Sequence, residues 1–193
     1  GLIKLAASEC EEVHVYVSTS DRARPGEVPI LGADMAEIWR TEIEKVIPKN
    51  VLITYGGNPI GNIWKELGEA SEAKSADSFV LYADDADIGV NFPAAAMQKY
   101  AGYLAQNNQI ETRPVKRTET VNISGTKMRE YIANGDKKSF VNGLPRGINA
   151  DKVWQVLYDR ANSGVKVKTT DVAKTAKKVP GAPKKKPTVK GES

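Results

Sequence analysis

The chain contains one cysteine, Cys10, and one histidine, His14, among 193 residues. A lone cysteine excludes an internal disulfide framework and fits a reducing compartment, so the cytoplasm is the expected location. Cys10 falls within a helical pattern and reads as a buried, unreactive thiol. No run of about 18 apolar residues occurs, and no segment reads as a membrane span. A Walker loop, a Gly-x-Gly-x-x-Gly turn, zinc-ligand spacing and a nucleophile elbow are all missing. Their absence leaves no motif for a P-loop NTPase, a dinucleotide enzyme, a zinc enzyme or a serine hydrolase.

What is present divides unevenly. Apolar residues make up 40% of the chain, enough for a core in one domain of ordinary size. The net charge of +4 hides a partition. Residues 166–193 hold nine lysines against Asp171 and Glu192, whereas residues 1–165 hold 19 Lys and Arg against 22 Asp and Glu. The body, taken as 1–165, is mildly acidic and the basicity belongs to a tail over 166–193. That tail is rich in Lys, Pro, Thr and Ala and has no aromatic residue, a composition expected to stay disordered. It acts either as a solubilising tail or as a nonspecific contact to nucleic acid or an acidic protein.

Hydrophobic periodicity predicts helices over 2–12, 33–46, 62–73, 94–106, 127–134 and 150–162. Strands are expected at 13–18, 51–55, 78–82 and 118–123, where β-branched and aromatic residues cluster. Strands separated by helices of this length imply right-handed crossovers and an α/β fold, a Rossmann-like doubly wound parallel sheet followed by C-terminal helices. Ligands of such sheets bind beyond the carboxyl ends of the strands. Those ends carry Ser18 and Ser20, then Tyr55-Gly56-Gly57-Asn58, then Asp84-Asp85-Ala86-Asp87, and finally Ser124-Gly125-Thr126.

The last of these is the most informative. Val121-Asn122-Ile123-Ser124-Gly125-Thr126-Lys127-Met128-Arg129 reads as a strand end, a turn and a helix start. Ser124 or Thr126 can cap the helix, and Gly125 allows close approach to the backbone. Arg129 and Lys127 are placed against the helix dipole, which disfavours cations there by roughly 0.3–1 kcal/mol. An anion held by the turn, the hydroxyls and Arg129 resolves the conflict, and the stretch reads as a phosphate site.

Ile123-Ser124-Gly125-Thr126-x-x-Arg129 resembles the second signature of the HxGH-type nucleotidyltransferases, the adenylyl- and cytidylyltransferase superfamily. Gly135-Asp136-x-x-x-Phe140-x-x-x-Leu144-Pro145 is similar to that family's C-terminal module, and the overall character is similar to versions encoded by large tailed bacteriophages. For a phage-encoded protein the expected location is the host cytoplasm or the virion. The resemblance implies that Ser124, Thr126 and Arg129 contact nucleotide phosphates. It also implies transfer of a nucleotidyl group from magnesium-bound ATP or CTP to a phosphate-type acceptor, with release of pyrophosphate.

One part of the family pattern does not match. The first signature, His-x-Gly-His, follows the opening strand of the sheet, and His14 lies within a predicted strand instead. Gly1-Leu2-Ile3-Lys4-Leu5-Ala6-Ala7 resembles the helix directly after that signature. With the opening central strand apparently absent, the remaining strands are expected to fall into two groups with unpaired inner edges. A fragment, a processed product, a rearranged sheet, or a subunit completed by a strand from an N-terminal segment or a partner chain would each account for this.

Other candidates are weighed beside the signature. Asp84, Asp85 and Asp87 either position magnesium or cap the following helix. Arg113, Lys116 and Arg117 form a basic cluster read as a solvated loop, with Arg117 a further phosphate candidate. Arg22 and Arg24 flank Pro25-Gly26 in a strand-end loop and, with Ser18, Tyr55 and Gly56, complete the phosphate candidates. Trp39, Trp64 and Trp154 occupy apolar helical positions and read as core. Two functions remain: a nucleotidyltransferase, or a catalytically inactive structural or interaction module that keeps the fold.

Overall fold

The computed structural model describes residues 1–116 and 125–164. Ser124, Arg117, the strand expected at 118–123 and the tail at 166–193 lie outside the described residues. Element order is α1 (Leu2–Glu9), β1 (Val13–Val17), α2 (Gly32–Ile38), β2 (Val51–Tyr55), α3 (Pro59–Glu72), β3 (Phe79–Asp84) and α4 (Asp85–Asn91). There follow α5 (Ala94–Tyr100), α6 (Gly102–Gln106), β4 (Ile110–Val115), α7 (Gly125–Ala133), α8 (Lys137–Asn142) and α9 (Ala150–Asn162).

The architecture is mixed α/β with short parallel sheets. β1 pairs with β2 from Val13↔Val51 to Val17↔Tyr55, and β3 pairs with β4 from Phe79↔Ile110 to Asp84↔Val115. The described strands therefore form two separate parallel pairs rather than one continuous sheet. β4 is an element that sequence reading took for a solvated loop. Pro114 obscured it, since proline in a strand is confined to edges and bulges. Among the described residues β4 pairs only with β3, and the bond from Phe79 N–H to the Gln109 carbonyl sets an alternation that turns the Pro114 nitrogen away from β3.

Local chemistry fixes the helix boundaries. Asn58 accepts a hydrogen bond from Gly61 N at 2.9 Å, and Pro59 occupies the first turn of α3. Asn149 caps α9 through Lys152 N, and Asp136 caps α8 through Ser139 N, both at 3.1 Å. Two expected helices are interrupted. The one over 33–46 begins as α2 and continues as a π turn, Trp39–Ile43, and a 3-10 turn, Glu44–Val46. The one over 94–106 breaks at Ala101 into α5 and α6.

Two apolar clusters form the core. One gathers Trp64, Leu67, Leu81, Phe92, Met97 and Leu104, with Trp64 between the rings of Phe92 and Tyr100, each 5.7 Å away. The other joins Ile38 to Ile132, Phe140, Val153, Trp154 and Leu157 of the C-terminal helices. Phe140 meets Trp154 edge-on at 5.3 Å. Two buried acids tie α2 and its π continuation to α9: Asp34 receives Arg160 Nε at 2.9 Å, and Glu42 receives Asn149 N at 3.2 Å. Cys10 is half-buried rather than buried, its Sγ 3.5 Å from the Tyr82 hydroxyl. Among the described residues no helix is long and apolar enough to cross a membrane.

His14 is a strand residue with a structural task. Its Nδ1 lies 2.6 Å from Glu66 Oε1 on α3 and its Nε2 lies 2.5 Å from Glu12 Oε1. The Glu12 hydrogen bond, followed by the charges of Glu66 and Glu12, raises its pKa above the ordinary 6.5 against the opposing effect of burial. A raised folded pKa gives stability that is full below 6.5 and is lost as pH rises through the folded value. The melting temperature is therefore expected to fall as pH rises from about 6 to about 8, and His14→Gln is expected to flatten that slope. Parallel melts of the two chains across this range check the expectation, and equal slopes would remove His14 as the cause.

Candidate functional site

The loop between β1 and α2 is held closed at its base. Arg22 and Ile30 exchange both backbone hydrogen bonds at 2.8 Å, an isolated antiparallel bridge. Asp21 Oδ1 accepts from Gly32 N at 2.8 Å, which fixes the start of α2. Gly32 is packed so tightly that a Cβ there would stand 1.8 Å from the carbonyl oxygen of Thr19. The folded loop brings Arg22 and Arg24 to the carboxyl end of β1.

There they border a cavity of about 890 Å³. Its polar rim is built from Ser18, Ser20, Asp21, Arg22, Arg24, Gly57, Asn58, Gly125 and Arg129. Its depth is apolar, walled by Met35, Ile38, Trp39 and Ile43 on one side and Met128, Ile132, Phe140 and Leu157 on the other. The π turn contributes Trp39 and Ile43 to this wall. Such turns recur at functional sites because they shift side chains out of the regular helical order.

Arg129 is the central cation. Its side chain is 13% exposed, and its Nε lies 3.3 Å from Glu27 Oε2. Arg22 Nε reaches the same oxygen at 3.3 Å, so one carboxylate serves two guanidiniums. Arg129 Nη2 donates to Thr126 Oγ1 at 3.2 Å. The Nε–H of Arg129 is buried and lacks the alignment of a hydrogen bond to Glu27, leaving it without an acceptor among the described residues. Burial, then repulsion from Arg22, lowers the Arg129 pKa, with Arg24 adding to the effect and Glu27 opposing it. Glu27 is held below its ordinary 4.5, first by the hydrogen bond from Arg22. Three arginines face Asp21 and Glu27, and the rim keeps an excess of positive charge.

The sequence candidates are distributed as follows. Ser18, Arg22, Gly125 and Arg129 come together at the cavity, and Thr126 joins them through its contact with Arg129. Thr126 lies inside the first turn of α7, which starts two residues earlier than expected, so it binds the arginine rather than capping the helix. Gly56, at φ +100°, forms the bend after β2 while its neighbour Gly57 lines the cavity. Tyr55 is turned to other partners: its hydroxyl donates to Glu44 at 2.6 Å and Arg40 stacks over its ring at 4.3 Å. Trp64 and Trp154 are core, but Trp39 is only half-buried and belongs to the cavity wall.

The acidic turn has the capping role. Asp84 accepts from Ala86 N at 3.1 Å, and Asp85 and Asp87 occupy the first turn of α4, where the helix dipole favours them. Among the described residues no three His, Cys, Asp or Glu side chains are placed to hold a metal ion. Sequence reading missed Glu27, whose spacing of five from Arg22 carries no regular-structure signal, and Asp21, whose partner Gly32 is eleven residues away. Compared with protein-family models, with curated proteins and with solved structures, the chain returns no match.

Proposed function

We propose that this cavity binds the triphosphate of ATP or CTP and that the chain is a nucleotidyltransferase-like protein acting on a phosphate-type acceptor. The observation that carries the reading is the buried Nε–H of Arg129, which has the Glu27 carboxylate 3.3 Å away but no aligned hydrogen-bond acceptor among the described residues, set beside Arg22 and Arg24 at an open cavity rim. Guanidiniums match phosphate oxygens in geometry and charge, and a buried donor without a partner gains most from an anion. Negative charge developing on the departing pyrophosphate would be met by the arginines of the rim once they turn from Glu27. Ser18, Ser20 and Asn58 line the same rim and would orient what enters. Magnesium arrives with the nucleotide and neutralises its phosphates. At the turn after β3 Asp84 caps α4 through Ala86 N–H, and among the described residues no three His, Cys, Asp or Glu side chains are grouped for a resident ion.

The finer fold belongs to the same proposal. We read the two parallel pairs as flanks of one Rossmann-like doubly wound sheet with β1 and β3 facing each other. α1 packs against both strands, which supports this reading.

One observation favours a second reading, a nucleotide-binding or structural module without transfer activity. His14 is committed to Glu12 and Glu66, and no histidine lines the cavity. Melting curves with millimolar magnesium-ATP or magnesium-CTP test the shared part, because a ligand of the folded state raises the melting temperature. A rise with one nucleotide that disappears in Arg129→Ala is expected. Pyrophosphate release then separates transfer from binding alone, and no rise with either nucleotide overturns both nucleotide readings.

A further inference from the structure

The cavity keeps its charge apart from its apolar surface. Ser18, Ser20, Arg22 and Arg24 follow β1, Asn58 follows β2, and Arg129 stands on α7. Of these rim residues Ser18, Ser20, Arg24 and Asn58 are exposed, while Arg22 and Arg129 are half-buried. Beneath them the lining comes from the helices and the π turn. Half-buried Met35, Trp39, Ile43 and Met128 turn surface toward the cavity, with buried Ile38 and Leu157 behind them. Below the rim, the only hydrogen-bonding side chain among the described lining residues is that of Trp39.

Phosphate chemistry uses the rim and leaves this depth without a role. A nucleobase or ribose placed there would find almost no partner for its amino, carbonyl and hydroxyl groups, each of which gives up hydrogen bonds to water on entering. A hydrocarbon chain has no such groups to lose and gains by leaving water. The cavity, at about 890 Å³, lies toward the upper end of the range for small-molecule sites, about 300–1,000 Å³, so a phosphate head fills only part of it. Met35 and Met128 line the two walls, and unbranched thioethers adapt to a chain whose length or bend varies. Positive charge at one end and apolar surface at the other complement an amphiphile with an anionic head.

We infer that the depth holds the hydrocarbon chain of a single-chain lipid phosphate whose head lies at the rim formed by Arg22, Arg24 and Arg129. This names the phosphate-type acceptor and so rests on the transfer reading given above. An oxygen of the lipid phosphate forms the new bond to the α-phosphorus of the nucleotide. The bond from that phosphorus to the β-phosphate oxygen breaks, and its electron pair leaves with pyrophosphate. The product is a lipid joined to a nucleoside through two phosphates.

The test is calorimetric titration of the full chain with inorganic phosphate and with butyl, hexyl, octyl and decyl phosphate, each below its micelle concentration. Each methylene that leaves water is expected to tighten binding about fourfold, roughly 15-fold for each step of two carbons, until the depth is filled. Decanol and decyltrimethylammonium carry the same chain without an anion and are expected to bind at least about tenfold more weakly than decyl phosphate. Met35→Trp narrows the depth and is expected to abolish the gain with chain length, its fold being checked by circular dichroism. The wild-type series decides the matter if that variant does not fold. With magnesium-ATP or magnesium-CTP present, decyl phosphate is expected to release pyrophosphate faster than butyl phosphate does. A flat chain-length series overturns the inference, and a nucleotide-dependent rise in melting temperature in the same preparation shows that the rim reading survives it. A flat series together with a concentration-dependent dimer in sedimentation gives the depth to a second copy. A folded Met35→Trp chain that keeps the full gain puts the hydrocarbon elsewhere and also overturns the inference. A rising series with no pyrophosphate released overturns the acceptor role, and the nucleotide melts tell whether the transfer reading fell with it.

Discussion

Gly32→Ala is expected to destabilise the protein by about 3 kcal/mol or more, above the ordinary range for a single overpacking substitution. The added methyl would lie 1.8 Å from the Thr19 carbonyl oxygen and 2.2 Å from its carbon. Both atoms are backbone, so no rotamer change relieves the contact. The loop or α2 must move, and movement of either strains the Asp21 to Gly32 hydrogen bond and the Arg22–Ile30 bridge. Gly89→Ala is the matching control: Gly89 lies within α4 and its Cβ would meet nothing within 4 Å. There the gain in helix propensity predicts stabilisation of up to about 1 kcal/mol. Urea midpoints of the two variants check the pair. An unchanged midpoint for Gly32→Ala would mean that the loop does not pack on α2 in solution, and the arrangement of Arg22 at the cavity would fall with it.

Elements with strong periodic signals were legible from sequence. The strand at Val51–Tyr55 and the helix at Ala150–Asn162 have the expected bounds, and α3 starts three residues early because Asn58 and Pro59 supply a cap and a first turn. Two kinds of feature escaped. α4 and α8 are too short for an apolar period to emerge, and their caps, Asp84 and Asp136, are their only clear marks. β4 lacks clean alternation and contains Pro114, so its strand character comes from pairing with β3, a contact between segments that no local pattern reports.

The site was legible in the same uneven way. Arg129 was conspicuous because a cation in the first turns of a helix contradicts the dipole, and a local contradiction can be read locally. Ser18 and Arg22 followed from the rule that ligands gather at strand ends. The apolar depth was invisible, since Ile38, Phe140 and Leu157 look like any core residues until the helices carrying them are placed around a common space. Glu27 was invisible for a further reason: its role exists only when the loop folds back and sets one carboxylate between Arg22 and Arg129.

That shared carboxylate leads to opposite effects from two neighbouring substitutions. Arg129→Ala is expected to weaken triphosphate binding by roughly 10- to 100-fold, the equivalent of about one charge-assisted hydrogen bond. Glu27→Gln is expected to strengthen it, because the carboxylate competes with the ligand for the same guanidiniums. Glu27 stays ionised at neutral pH, its pKa being held below 4.5 by Arg22, so the wild-type rim carries this competitor under ordinary conditions. Removing it leaves Arg22 and Arg129 facing each other without a counter-charge, and the ligand-free protein should melt lower as a result. Added triphosphate should then raise the melting temperature of Glu27→Gln more than that of the wild type, and added salt should erode that gain faster. Titration calorimetry with inorganic tripolyphosphate, at low and high salt, reads both variants without presuming a base or an acceptor. If Glu27→Gln binds more weakly than the wild type, the carboxylate aligns the arginines instead of competing for them, and the anion must approach from the Arg24 side of the rim.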